Sequence, residues 1–112
     1  MFRFLLNLFS GKPLEGARSP QWSRERAAYL AEHKMCEACG GAGDLQCHHK
    51  KPFGYFPELE LDRSNFQTLC EHPARNCHLN VGHSGDFKAY NPNSVEDAAL
   101  MLKRLSERKY TR

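Results

Sequence analysis

Two pairs of cysteines constrain the fold of this chain more than any other feature. Cys36 and Cys39 form a C-x2-C pair, and Cys70 and Cys77 form a C-x6-C pair much farther along the chain. A zinc ion takes four ligands in a tetrahedron, and two short cysteine loops that meet in space supply that arrangement. The spacing therefore predicts a structural zinc site that joins the two segments.

Alternatives to this ligand set exist within the sequence. His72 lies inside the second cysteine loop and could replace one of the cysteines as a ligand, and the four thiols could also be ordinary buried residues. The chain has five cysteines, and no small-residue cleavage site follows its N-terminal apolar run, so a disulfide framework is the weaker interpretation. We expect the remaining Cys47 to be a buried free thiol.

Length and composition predict one small domain. The chain has 112 residues and a net charge of +3, which permits a nucleic-acid partner without requiring one. Its longest apolar run, residues 4–9, is shorter than the roughly 20 residues that span a bilayer, so we expect no membrane partner and a cytoplasmic location. Residues 1–19 are interpreted as an N-terminal arm and linker, and residues 20–112 as the domain.

Periodicity and capping signals predict an α+β fold. Two short strands are expected to pair antiparallel, a short helix should begin near His78, and longer helices should flank this unit because it is too small to bury a core alone. The predicted bounds are residues 20–33 and 95–109 for the flanking helices, and 45–49 and 66–70 for the strands.

Adjacent histidines stand at the end of the first predicted strand. Neighbouring side chains on a strand point to opposite faces, so His48 and His49 cannot form one patch. We therefore expect a separate role for each of them.

The order of these motifs resembles that of the HNH endonucleases, in particular a bacterial and phage type. The resemblance covers about residues 36–83 and rests on C-x2-C, the "HH" pair, "NFQTLC" and "CEHPARNCH". Phe66 replaces a leucine of the family pattern, and four extra residues separate the second pair of cysteines. The resemblance implies a ββα-metal core, about residues 36–88, that the zinc site braces.

The resemblance also implies catalytic roles. His48 and His78 would bind a catalytic Mg²⁺ or another divalent ion, with His83 as a candidate third ligand. His49 would be the general base, and Asn65 would either orient His49 or support the loop between the strands. In a competing assignment, His78 replaces Cys77 as a zinc ligand.

Basic residues near the motif suggest DNA as a partner. We predict phosphate contacts for Lys50, Lys51, Arg63 and Arg75, although such residues can also be solvated surface charges. A homodimer or a phage or host protein partner is also compatible with the sequence. The alternative function is a catalytically silent zinc-ribbon module that binds nucleic acid or protein. The discriminating feature is whether the nitrogens of His48 and His78 converge apart from the sulfur atoms.

Overall fold

The computed structural model describes residues 18–110, and it combines helices with a two-stranded antiparallel sheet. The predicted arm and linker lie outside the described residues except for Arg18 and Ser19. The main elements in chain order are helix α1 (Trp22–Glu32), strand β1 (Leu45–His49), strand β2 (Phe66–Cys70), a π-helix (His78–Gly82) and helix α2 (Ser94–Tyr110).

The two strands have the bounds that the sequence predicts. Leu45 lies opposite Cys70, and His49 lies opposite Phe66, so all five residues of each strand are paired. The aromatic and β-branched residues of β2 suit a strand, and every residue of β2 is buried. The connecting residues 50–65 contain two 3₁₀ turns, Pro57–Leu59 and Arg63–Asn65. This pairing fixes which residues of β1 face each side of the sheet.

The buried core is small and rich in cysteine. Its members are Cys36, Ala38, Leu69, Cys70, Cys77, Val81 and Ala98. Three of these seven are thiols that would lose their packing partners if the two cysteine loops separated. A metal ion that joined the loops would therefore contribute directly to folding.

Helix α1 packs its buried side against the sheet. It begins at Trp22, two residues later than predicted, and Ser19 caps the preceding turn by accepting the Gln21 N–H through its hydroxyl at 3.0 Å. The buried Tyr29 donates from its hydroxyl to the Phe66 carbonyl at 3.4 Å. The helix thereby closes one face of β1 and β2.

Helix α2 begins at Ser94, one residue before the predicted start. Ser94 is buried within the first turn, and the Asp97 carboxylate accepts a hydrogen bond from the Asn91 amide at 3.0 Å. Ala98 of this helix belongs to the core and Met101 packs against it, whereas Val95 is 44% exposed. Within residues 18–110, no helix combines the length and apolar character needed to cross a membrane.

Candidate metal centres

The four predicted cysteines form one cluster that could hold a metal ion such as zinc. Their sulfur atoms all lie within 4.8 Å of one another, and the Sγ atoms of Cys39 and Cys70 are 3.8 Å apart. A tetrahedron with Zn–S bonds of about 2.3 Å has an S–S edge of about 3.8 Å. The separation of Cys39 and Cys70 therefore equals the edge of a zinc tetrahedron, and the four sulfurs are close enough to hold one metal ion. His72 is outside this cluster, since it is exposed and its Nδ1 accepts the Ala74 N–H at 3.1 Å.

The backbone shapes the first cysteine loop. The Cys36 N–H donates to the Gly41 carbonyl at 2.8 Å, and the Cys36 carbonyl accepts the Gly40 N–H at 2.9 Å. Gly40 has φ +79°, a conformation that favours glycine. The Cys36 sulfur accepts the N–H groups of Ala38 and Cys39, each at 3.4 Å. These backbone groups hold the Cys36 sulfur in place within the first cysteine loop.

Protonation of the cluster depends on how burial and hydrogen bonding compete. Burial raises the pKa of Cys39 and, more strongly, that of Cys77. Burial also acts on Cys70, but hydrogen bonds from the backbone N–H groups of Cys77 and His72, together with those of the Cys39 and Cys77 thiols, outweigh it and lower the pKa of the Cys70 thiol. The structure thus shifts the pKa of Cys70 in the opposite direction from the pKa values of Cys39 and Cys77. A bound cation would favour deprotonation of all four sulfurs.

Three histidines form a second cluster, distinct from the sulfur atoms. One ring nitrogen from each of His48, His78 and His83 lies within 4.8 Å of the other two. The ring centroids are 5.1 Å apart for His48 and His78, 4.8 Å for His48 and His83, and 4.9 Å for His78 and His83. The discriminating convergence of His48 and His78 is therefore present in the structure.

The opposite nitrogens of two of these rings are already engaged. The Nδ1 of His83 lies 2.9 Å from the Ala89 carbonyl, which can only accept, so Nδ1 carries the proton and Nε2 keeps the lone pair. His78 makes the equivalent bond from Nδ1 to the Glu71 carboxylate at 2.9 Å. Partners of this kind fix the tautomer and orientation of histidines that bind metals.

His48 is the buried member of this cluster. It is 3% exposed, and its Nε2 has no hydrogen-bond partner among the described residues. Burial, followed by the neighbouring His78 and His83, lowers the pKa of His48 to about 3. His48 is therefore a neutral imidazole whose buried nitrogen lacks a partner among the described residues, and the two rings beside it direct their protons away from the cluster. This arrangement fits a site for a divalent cation.

The π-helix explains how His83 reaches this cluster. On a regular α-helix, residues five apart do not share a face. For this reason the sequence predicts His83 only as a candidate third ligand of the divalent ion. The π-helix His78–Gly82 instead follows an i→i+5 pattern, and His83 comes directly after it. This widened turn places His78 and His83 side by side.

His49 points away from this cluster, toward helix α1. Its ring stacks on Trp22 at a centroid distance of 4.4 Å, and its Nε2 donates to the Glu60 carbonyl at 2.9 Å. Nδ1 of the neutral ring therefore keeps the lone pair. Burial lowers the pKa of His49, and the nearby Arg18 acts in the same direction, although the Glu60 carbonyl opposes them. The ring is thus neutral near pH 7.

Asn65 takes the second of its two predicted roles. Its Oδ1 accepts the Lys51 N–H at 2.9 Å, and its Nδ2 donates to the Lys51 carbonyl at 3.0 Å. It thereby supports the loop between the strands. The Glu60 carbonyl and the Trp22 ring hold His49. Neither contact could be predicted from the sequence, because a backbone carbonyl leaves no signal in the residue type and the stacking depends on where helix α1 packs.

One cleft of about 660 Å³ is lined by the three histidines of the cluster, by His49, and by Arg18 and Arg26. The predicted phosphate contacts lie elsewhere. Lys50 and Lys51 line a second pocket of about 410 Å³ near the start of α2. The side chain of Arg63 lies 3.5 Å from Glu25 and 3.1 Å from Glu32, and Arg75 is exposed in the loop between the last two zinc-site cysteines.

Comparisons with protein-family models, curated proteins and solved structures find no match for this chain. The resemblance to HNH endonucleases therefore depends on the residues described above.

Proposed function

We propose that the protein is a metal-dependent endonuclease of the HNH type that hydrolyses DNA phosphodiester bonds. One observation carries this proposal: three convergent imidazoles lie apart from the sulfur cluster, in a cleft that a fourth, neutral histidine also lines. A zinc module that only binds a partner has no need of this second arrangement. The sulfur cluster would then be structural and the histidine cluster catalytic.

His49 would act as the general base. Its Nδ1 lone pair would remove a proton from the water that attacks phosphorus, while the bond from Nε2–H to the Glu60 carbonyl fixes the tautomer. Stacking on Trp22 restricts rotation of the ring. The lowered pKa of His49 keeps the base unprotonated near pH 7.

His48, His78 and His83 would hold the divalent ion. When bound, the ion stabilises the charge that develops on the phosphate and on the leaving oxygen. Glu71 would maintain the ligand tautomer of His78. Three imidazoles without a carboxylate favour a transition metal such as zinc or nickel over the Mg²⁺ that the resemblance first implied.

Plasmid cleavage tests this proposal. Protein carrying its structural zinc is incubated with supercoiled DNA and Mg²⁺, Mn²⁺, Ni²⁺ or Zn²⁺, with excess chelator as the negative control. We expect cleavage with at least one ion, and a fall of about 10²- to 10⁴-fold in rate for His49→Ala. His33→Ala is the matched control, since this exposed histidine stacks on Tyr29 and does not line the cleft.

Two outcomes would contradict the proposal. Parental cleavage by His49→Ala would reject the assigned base. Absence of cleavage with every ion would reject the nuclease and favour the catalytically silent zinc module.

A further inference from the structure

We infer that Arg18 and Arg26 bind phosphates of the DNA strand that enters the histidine cleft, in place of the four basic residues expected from the sequence. This inference rests on the proposed function, because it takes the cleft to be the place where DNA is cut. It assigns the positively charged contacts to helix α1 and the residues just before it.

The charge of the cleft supports this assignment. Its described lining contains the two arginines and four histidines but no carboxylate side chain. In the pocket near α2, by contrast, Lys50 and Lys51 are accompanied by Asp62 and Glu96, so the opposite charges balance. A polyanion is therefore attracted to the histidine cleft more strongly than to that pocket.

Arg18 is held beside the proposed base. Its guanidinium carbon lies 4.4 Å from the ring centroid of Phe53 and 5.3 Å from that of Trp22, the residue that stacks on His49. Ring contacts of this kind restrict an arginine while leaving its edge free to donate hydrogen bonds. The side chain remains 46% exposed, so its donors can reach a ligand.

The Glu60 carboxylate does not fully engage Arg18. The shortest approach between them is 3.7 Å, whereas the same carboxylate accepts the Ser19 N–H at 3.1 and 3.2 Å. A phosphate can therefore accept hydrogen bonds from the guanidinium without displacing a tight ion pair. An arginine fork suits two phosphate oxygens at once.

Arg26 extends the same surface along helix α1. It lies four residues after Trp22, which places both side chains on one face of the helix. Arg26 is half-buried, and no salt bridge engages it within residues 18–110. Arg24 provides a contrast on the same helix, because it is exposed and does not line the cleft.

DNA binding at several salt concentrations tests this inference. A fluorescently labelled duplex is titrated with His49→Ala protein, in which cleavage should be about 10²- to 10⁴-fold slower. The same titration is made with this protein carrying Arg18→Ala, Arg26→Ala, Arg24→Ala or Lys50→Ala. Each lost phosphate contact should reduce the slope of log affinity against log salt by about 0.9. We expect this change for Arg18 and Arg26, and an unchanged slope for Arg24.

A second variant separates phosphate binding from folding. Arg18→Lys keeps the positive charge but removes the planar fork, so it should retain the salt slope while reducing cleavage when His49 is intact. Circular dichroism and melting temperature verify that each protein is folded. A loss of salt slope in Arg18→Ala without such rescue in Arg18→Lys would instead indicate a structural role and overturn the inference.

The outcomes distinguish this inference from the proposed function. Unchanged binding by Arg18→Ala and Arg26→Ala, in a protein that cuts DNA, would overturn the inference and leave the nuclease in place. A protein that cuts nothing but loses salt slope in both variants would reject the nuclease and keep the cleft as the DNA-binding surface. Loss of slope in Lys50→Ala alone would move the DNA path to the other pocket and overturn the inference.

Discussion

Gly82 provides a sensitive test of the histidine cluster, because it lies between two of its members and against the third. A Cβ atom on Gly82 would lie 3.0 Å from Cδ1 of Leu69, 3.1 Å from Cε1 of His48 and 3.2 Å from Nδ1 of His48. Carbon atoms make their best contacts at about 3.5–4.0 Å. Gly82→Ala would therefore force the strand side chains away from the π-helix.

The cost of this change follows from the burial of its neighbours. His48 is 3% exposed and Leu69 is 0% exposed, so neither can move into solvent. Overpacking of this kind costs about 1–3 kcal/mol. Removing the backbone freedom of glycine from the unfolded chain offsets about 0.4–1 kcal/mol of that cost. We expect a net loss of about 1–2 kcal/mol in the free energy of unfolding.

Displacement of the His48 ring should also weaken the histidine cluster. If the displaced ring costs about 1.4 kcal/mol of binding free energy, the affinity for the divalent ion falls tenfold. A zinc ion in the sulfur cluster should be retained, because the three atoms nearest to the new methyl group belong to Leu69 and His48 and not to the cysteines. The two metal centres should thus respond differently to Gly82→Ala.

Urea unfolding, zinc analysis and calorimetric titration with Ni²⁺ measure these effects. Gly43→Ala is the matched control, since a Cβ there has nothing within 4 Å, and it should change stability by no more than about 0.5 kcal/mol. If Gly82→Ala is as stable as the parent protein and binds Ni²⁺ equally well, the described packing of His48 against the π-helix is incorrect.

The other predictions concern the ligands, the free thiol and acid sensitivity. His48→Ala should lose Ni²⁺ affinity in calorimetry while retaining zinc, and an equal loss in His49→Ala would contradict the division between ligand and base. Cys39→Ser should release zinc and unfold the chain, as measured by metal analysis and circular dichroism, whereas Cys47→Ser should do neither. Cys47, which the sequence predicts to be buried, is only half-buried and lines the histidine cleft. Desolvation still raises the pKa of Cys47 to about 12, so it should react slowly with iodoacetamide at pH 8, and prompt labelling would contradict this shift. The folded His48 stays neutral down to about pH 3 while the unfolded imidazole takes up a proton near pH 6.5, so stability should fall as the pH decreases between these values. The slope should approach about 1.4 kcal/mol per pH unit in urea unfolding without added divalent ions, and an equal slope in His48→Asn would refute this origin.

Local patterns in the sequence were sufficient for the two strands and the sulfur cluster. Both strands have the predicted bounds. The turn of the C-x2-C loop is specified locally, because Cys36 exchanges backbone hydrogen bonds with Gly40 and Gly41, although Glu37 also donates its N–H to the Thr68 carbonyl of β2. The alternation of side chains along β1 likewise separated His48 from His49, since that geometry depends only on the strand.

The tertiary structure alone decided how the histidine cleft is completed. The π-helix brought His83 beside His78, and a loop carbonyl rather than Asn65 oriented His49. Helix α1 supplied Arg26 to the cleft, and the residues just before the helix supplied Arg18. None of these features has a local signal, because each depends on where a distant backbone segment comes to rest. The positions of basic residues in the sequence do not predict the DNA contacts any better. Packing determines whether a cationic side chain is neutralised or remains available to a ligand, and two glutamates of α1 neutralise Arg63.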